Sequence, residues 1–93
     1  MATEYDIRLT SAIHHGSDIQ NKGCVIVFTY PDGSSSGRGY SGRIVASLNP
    51  STVRIASPIL NIDSGWAGAN GGTLTIHTAA PLAFGIVDCT RRH

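Results

Sequence analysis

The chain has 93 residues, of which 41% are hydrophobic and 14% are charged, and its formal net charge is +1. A chain of this length forms one domain, residues 1–93, because it is too short for two separate cores. The short apolar runs and the near-neutral charge exclude a transmembrane protein, a disordered tail, a coiled coil and a histone-like binder, but they do not select a function.

The polar residues of the chain favour strands over helices. There is one Lys and one Glu, whereas Ser and Thr together number eighteen and Gly eleven. Straight-chain Lys and Glu populate helix surfaces, while hydroxyl-bearing and β-branched side chains suit a pleated surface and Gly suits tight turns. The composition therefore predicts an all-β domain.

The first half of the chain contains two predicted strands. Tyr5, Ile7 and Leu9 alternate with polar residues, which predicts a strand with one solvent-exposed face. Residues 12–22 are polar and interrupted by a glycine, which is typical of a long connection. Residues 24–30 are apolar on both faces, so we expect a central strand covered on both sides, followed by a turn and a loop over residues 31–38.

The second half contains the remaining strands. Residues 40–48 alternate and should place Ile44 and Leu48 on one face; further strands are predicted from residue 52 to the proline at 58, and over 59–62, 73–77 and 82–89. Residues 90–93 should form an exposed tail. Six or seven short, mostly antiparallel strands indicate a β-sandwich or small barrel. The predicted core consists of Ile26, Phe28, Ile44, Ile55, Ile76, Phe84 and Ile86.

The two cysteines, Cys24 and Cys89, fall in the predicted central strand and at the end of the last strand. A signal peptide has a basic start, an apolar stretch and a cleavage site, and the sequence shows no such combination. We therefore predict no signal peptide and favour a cytoplasmic location over secretion. Disulfides rarely persist in a reducing compartment. We therefore expect two buried, reduced and unreactive thiols, with a disulfide as the alternative.

The histidines do not predict a metal site. His14 and His15 are adjacent and have Asp18 nearby, but adjacent strand residues point to opposite faces and the ligand count falls short of a closed site. We expect a solvated pair there, an exposed His77, and neither a metal nor a cofactor.

The sequence gives little support for catalysis. A serine, His77 and either Asp88 or Asp63 could supply the nucleophile, base and acid of a catalytic triad. However, the chain has no nucleophile-elbow pattern and no closely spaced carboxylates. A domain of this size also has little room for a deep pocket. We therefore predict a protein that is not an enzyme.

Residues 36–43 have the glycine content of a phosphate-binding loop but lack its Lys-Ser/Thr ending and the helix that should follow. One Tyr beside two Arg also provides only a single aromatic ring on which bases could stack. We expect a hairpin arm with solvated arginines, and no nucleic-acid partner.

The segment 63–72 contains the single tryptophan, Trp66, with Asp63 and Asn70 nearby. A flat aromatic face beside planar polar groups is typical of a carbohydrate site, to which Tyr40 could contribute. The alternative is that Trp66 folds inward and caps the end of the sandwich. These four residues are the predicted binding residues.

Two functions remain open from the sequence. The first is a non-enzymatic β-domain that acts as a protein-interaction or self-assembling structural module, because small domains often gain stability by oligomerising. The alternative is a carbohydrate-binding, lectin-like module that uses the Trp66 loop. The expected partners are a second copy of the chain, another protein or a glycan, and no membrane is expected to take part.

Overall fold

The computed structural model describes residues 2–13, 19–28, 39–62 and 71–92. These residues form six strands. The strands are β1 (Thr3–Leu9), β2 (Gly23–Val27), β3 (Tyr40–Asn49), β4 (Thr52–Ser57), β5 (Thr73–Ile76) and β6 (Leu82–Arg91). Within the described ranges no helix is long and apolar enough to cross a membrane. The predicted all-β fold is confirmed.

The strands close into a single barrel in the order β1-β4-β3-β2-β5-β6, and β6 returns to pair with β1. All six neighbouring pairs are antiparallel. Strands β2, β3 and β4 form a meander, and β1 lies beside β4, which is a Greek-key arrangement. The fold is thus the small barrel, rather than the sandwich, of the two expected architectures.

Because every neighbour is antiparallel, the odd-numbered strands all begin at one end of the barrel and the even-numbered strands all end there. We call this the upper end. The segments 28–39 and 58–72 both connect strands at the upper end, whereas the segment 10–22 and the two short turns at 50–51 and 77–81 connect strands at the lower end.

The core fills the inside of the barrel with aliphatic and aromatic side chains. Six of the seven predicted core residues are buried, and the seventh, Phe84, is partly buried against the same cluster. Inward-facing positions of small barrels are normally filled in this way. At the lower end, Ile13 and Ile19 of the connecting segment are also buried, and the Ile13 amide donates to the Pro50 carbonyl.

Two predicted strand patterns differ from the structure. In β2 the outward Val25 and Val27 are half-buried rather than covered, because the described strands form one closed layer whose second face is the outer surface. In β3 the pairing with β4 shifts between Ile44 and Ala46 and again near its end, so the alternation expected through Leu48 is interrupted. Such bulges insert an unpaired residue and reverse the facing of those that follow. Leu48 is accordingly exposed.

The strand predicted over residues 59–62 is absent, because backbone polar groups of this segment are hydrogen-bonded to side chains. The Leu60 amide donates to Ser57 Oγ (3.0 Å), and the Leu60 carbonyl accepts from the Tyr5 hydroxyl (2.8 Å). The Ile62 amide also donates to the Tyr5 hydroxyl oxygen (3.3 Å). These bonds satisfy the backbone groups that would otherwise pair with a neighbouring strand.

The last strand is longer than predicted. It continues to Arg91, with Thr90 opposite Asp6 and Arg91 opposite Tyr5, so these two residues belong to the barrel rather than to a tail. Arg92 is exposed, as expected, but its amide donates to the Glu4 carbonyl. His93 lies outside the described residues.

Candidate functional site

Of the four predicted binding residues, the structure describes Tyr40 alone. Trp66, Asp63 and Asn70 lie outside the described residues. Tyr40 begins β3 and is partly buried, with its ring 6.0 Å from that of Phe28 and tilted by 53°. Part of the Tyr40 ring therefore serves to close the upper end of the barrel.

The described residues that flank the two glycine-rich segments are neighbours at the upper end. Ile26 pairs with Tyr40 across the β2–β3 ladder, and Val27 pairs with Thr73 across the β2–β5 ladder. The connections over 29–38 and 63–70 thus leave from and return to the same end of the barrel. A loop site there would be supported by strand ends on a rigid scaffold.

Both cysteines are free and buried inside the barrel. Burial raises the pKa of Cys24 to about 12. Burial also raises the pKa of Cys89 to about 12, with smaller contributions from the charges of Asp88 and Asp6. The thiolate is the reactive form of cysteine, so these thiols are poor nucleophiles and poor metal ligands at neutral pH. The expectation of two buried, free thiols is confirmed.

The described residues contain no group of three or more His, Cys, Asp or Glu side chains placed to hold a metal ion. His14, His15 and Asp18 lie outside them. His77 follows β5 and is exposed, as predicted, and its amide donates to the Gly23 carbonyl (2.9 Å).

The outer surface of β1 carries three ion pairs, and we call this region the β1 face. Asp6 accepts two bonds from Arg54 of β4, the shorter being 2.8 Å, and this pair is about three-quarters buried. Arg8 binds Asp88 of β6 at 2.7 Å, and Arg92 binds Glu4 at 2.9 Å. The Arg54 hydrogen bond to Asp6 raises the pKa of the guanidinium. All three acidic side chains of the described residues are thus neutralised on this face.

The outer surface of β2 and β5 carries no charge in its central rows. Val25 lies opposite Thr75, and Val27 lies opposite Thr73. All four side chains are half-buried and alternate with inward-facing core residues. We call these four residues the β2–β5 face; it is aliphatic and hydroxyl-bearing.

A shallow groove of about 340 Å³ lies over β4, and we call it the β4 groove. Ala56 forms part of its floor, opposite Arg43 on β3 and opposite Glu4 on β1. The groove is lined by Ala2, Ser41, Gly42, Arg43, Ala56 and Pro58. A small side chain between two long ones leaves this depression in the outer surface.

Arg43 is the charged side chain among the described residues that line the groove. Its Nη1 donates to the Asn21 carbonyl, and no acidic side chain of the described ranges forms an ion pair with it. The bond to Asn21, two residues before the start of β2, directs this guanidinium toward β2 rather than over β4. The lining residues that the structure describes include no carboxylate, imidazole or thiol, the groups that acid–base or nucleophilic catalysis most often uses.

The sequence did not predict this groove. Of the glycine-rich residues 36–43, the structure describes 39–43; residues 40–43 begin strand β3, as expected for a hairpin arm, and Gly42 faces the interior. The signal that was present is the outward series Thr52, Arg54, Ala56 in β4, in which the last side chain is much smaller than its neighbour. Its meaning depends on the strands beside it, which only the pairing reveals.

Comparison of this chain with protein-family models, curated protein sequences and solved structures finds no match. The surfaces described above are therefore what indicates a function.

Proposed function

We propose that this protein is a non-enzymatic interaction module that self-associates through the β2–β5 face. The observation that carries the proposal is the division of charge on the outer surface. The described acidic groups are neutralised on the β1 face, whereas the central rows of the β2–β5 face are uncharged. Charged residues are depleted at the centres of protein interfaces.

The closed barrel limits how a partner can bind. All six strands have two hydrogen-bonded neighbours, so none of them offers a free edge for strand addition. The interior is filled by side chains and is therefore closed to a ligand. Contact through an outer face or a barrel end is what remains.

A second copy of the chain is the partner that best suits the β2–β5 face. Two-fold symmetry brings the same patch of both subunits together, so a charged patch would meet its own charge. A patch of two valines and two threonines has no such repulsion and can bury aliphatic area on both sides.

The test is the mass in solution as a function of concentration, measured by sedimentation velocity. We expect the wild type to exceed 9.8 kDa at high concentration. Thr75→Lys should reduce the mass toward that of the monomer, because two lysines would then face each other across the symmetry axis. A strictly monomeric wild type would overturn the proposal.

The matched control is Thr90→Lys. Thr90 is an exposed threonine on β6, opposite Asp6 on the ion-paired side of the barrel. It receives the same substitution in the same type of strand, so its mass distribution should equal that of the wild type. An equal effect of both substitutions would show that net charge, rather than the β2–β5 face, controls association.

The second candidate function is glycan binding at the upper end. It is favoured by one observation: Tyr40 and the residues that flank segment 63–70 belong to the same barrel end. A platform built there would combine the remaining surface of the Tyr40 ring with Trp66, Asp63 and Asn70. Screening on a glycan array, with Trp66→Ala as the comparison, would detect it.

A further inference from the structure

We propose that this protein binds a phosphate monoester in a notch above Gly23, where β3, β2 and the end of β5 lie side by side on the outer surface. We call this the Gly23 notch. It lies at the lower end of the barrel, below the four residues of the β2–β5 face, so the site is independent of self-association.

The notch exists because a glycine separates two larger side chains in one row. Gly23 pairs with Arg43 of β3, and its carbonyl accepts the His77 amide (2.9 Å) on the opposite side. The adjacent Cys24 and Ile76 are buried inside the barrel, so this row faces outward. A Cβ built on Gly23 would have its nearest contact at 4.0 Å, which shows that the space above the glycine is open.

The side chains around the notch are basic. Arg43, Lys22 and His77 are all exposed. The Arg43 Nη1 donates to the Asn21 carbonyl, which holds the guanidinium over β2, close to Lys22 in the chain. None of the three is in an ion pair within the described residues, because the described carboxylates are engaged by other arginines on the β1 face. This corner of the barrel therefore has cations that no described acidic group neutralises.

The arrangement of the donors favours a phosphate over a carboxylate. Arg43 is supplied by β3, His77 by the end of β5, and Lys22 by the residue before β2. The oxygens of a phosphate point in tetrahedral directions, so each can accept from a different element, whereas the two oxygens of a carboxylate lie in one plane and suit a single guanidinium. A monoester has about −1.5 to −2 charges at neutral pH, which matches more than one cation.

The guanidinium retains donors for such a ligand. Arg43 has five N–H groups and uses Nη1 on the Asn21 carbonyl. That bond also fixes the position of the cation before a ligand arrives, which lowers the ordering cost of binding. The site differs from the phosphate-binding loop considered for residues 36–43, because its donors come from three separate parts of the chain rather than from one glycine-rich loop.

The test is a titration of the isotopically labelled protein with inorganic phosphate at constant ionic strength, followed by the amide signals in two-dimensional NMR. We expect saturable shifts at Lys22, Gly23, Arg43 and His77, and none on the β1 face. Sodium chloride at the same ionic strength is the reference, because a diffuse attraction of anions would respond to both salts alike.

Three phosphate compounds identify the source of the group. Tighter binding of acetyl-phosphoserine amide than of inorganic phosphate would support the site and indicate a phosphorylated side chain of a partner. The reverse order would also support it and indicate a free phosphate. Dimethyl phosphate, a diester with a single charge, should bind about fivefold more weakly than either. Equal binding of the diester would overturn the proposal and indicate a nucleic-acid backbone instead.

Variants assign the contacts. Arg43→Gln should weaken phosphate binding about fivefold, the upper range for one exposed ion pair, and His77→Gln should weaken it less. Arg8→Gln is the matched control, because it removes the same charge from an exposed arginine on the β1 face. Gly23→Val places a branched side chain in the notch and should abolish the saturable shifts, while dispersed spectra show that the barrel is intact.

Two further results would overturn the proposal. One is the absence of saturable shifts at up to about 10 mM phosphate, tenfold above a millimolar dissociation constant. The other is an equal loss of affinity in Arg43→Gln and Arg8→Gln, which would show that net charge rather than the Gly23 notch attracts the anion. Because a monomer retains the notch, neither result depends on the mass measurement above.

Discussion

Gly42 faces the barrel interior, where there is little space for a side chain. It pairs with Cys24 in the β2–β3 ladder, and a Cβ atom there would lie 3.0 Å from the Ala56 carbonyl oxygen and 3.4 Å from Cys24 Sγ. Gly23, which pairs with Arg43 in the same ladder, is different, because a Cβ there would have its nearest contact at 4.0 Å. A side chain would therefore be crowded at Gly42, whereas Gly23 has space for one.

We expect Gly42→Ala to lower the free energy of unfolding by about 1–3 kcal/mol, the usual cost of adding a methyl group to a filled core. Gly23→Ala should be neutral or slightly stabilising, since it reduces the freedom of the unfolded chain without a clash. Urea unfolding of both variants tests the contrast. Equal stabilities of the two variants would mean that β3 does not turn Gly42 inward.

The two buried thiols make the stability of the barrel sensitive to alkaline pH. Well below pH 9 they are protonated in the folded and unfolded states alike. Between pH 9 and about 12 the unfolded chain loses thiol protons that the folded chain retains. The unfolded state therefore becomes favoured as the pH rises through this window, and above it these groups cause no further change.

We expect the free energy of unfolding to fall between pH 8 and about pH 10.5 by at most ~1.4 kcal/mol per pH unit for each thiol. The variant with Cys24→Ala and Cys89→Ala should show a smaller decline, because it retains every other titrating group. Urea unfolding at the two pH values measures the difference. Rapid labelling of either thiol in the native protein at neutral pH would contradict their burial.

At the scale of elements, residues 58–62 are held by side chains rather than by a ladder. Tyr5 is fully buried, and its hydroxyl donates to the Leu60 carbonyl and accepts from the Ile62 amide. Ser57 Oγ accepts from the Leu60 amide and donates to the Ser41 carbonyl (2.7 Å), which links the segment to β3. Two hydroxyl groups thus fix the course of the chain just before segment 63–70.

Tyr5→Phe should therefore destabilise the protein by about 1–3 kcal/mol, because it leaves a buried carbonyl and a partly buried amide without partners. Hydrogen exchange of the Ile62 amide should accelerate more than that of core amides such as Ile55. Tyr40→Phe is the comparison, since it removes a hydroxyl from a partly buried ring in the same barrel. Uniform acceleration at all amides would indicate a global rather than a local effect.

The element scale also shows what could be predicted from the sequence. Hydrophobic patterning located all six strands. Alternation indicated β1, β3, β4 and β5, because inward and outward positions of a barrel differ in polarity, as Ile7 and Arg8 do, whereas β2 was predicted from a continuous apolar run. It failed over 59–62, where hydrophobic residues are adjacent but the backbone bonds to Tyr5 and Ser57 come from distant positions. It also failed beyond Ile44, because a bulge depends on the register with β4, which no local pattern encodes.

At the scale of the whole molecule, pairing between distant strands determines the distribution of charge. Asp6 meets Arg54, and Arg8 meets Asp88, only because β1 lies between β4 and β6. Net charge alone could predict neither the ion-paired β1 face nor the uncharged β2–β5 face. The same is true of Arg43, whose place beside Ala56 follows from the β3–β4 register. Tyr40 is a predicted binding residue on the basis of its residue type alone, and the structure adds its packing against Phe28.

The single tryptophan gives a test that separates the two candidate functions in one sample. Thr73, at the edge of the β2–β5 face, follows segment 63–72 directly in the chain. If subunits meet through that face, the emission of Trp66 should shift to the blue as concentration rises, in step with the mass from sedimentation. This shift should disappear in Thr75→Lys and persist in Thr90→Lys. If the segment binds a glycan instead, added sugar should quench the emission at constant mass, and Thr75→Lys should have no effect on it. Emission that responds to neither concentration nor sugar would remove Trp66 from both surfaces and would favour the inward cap.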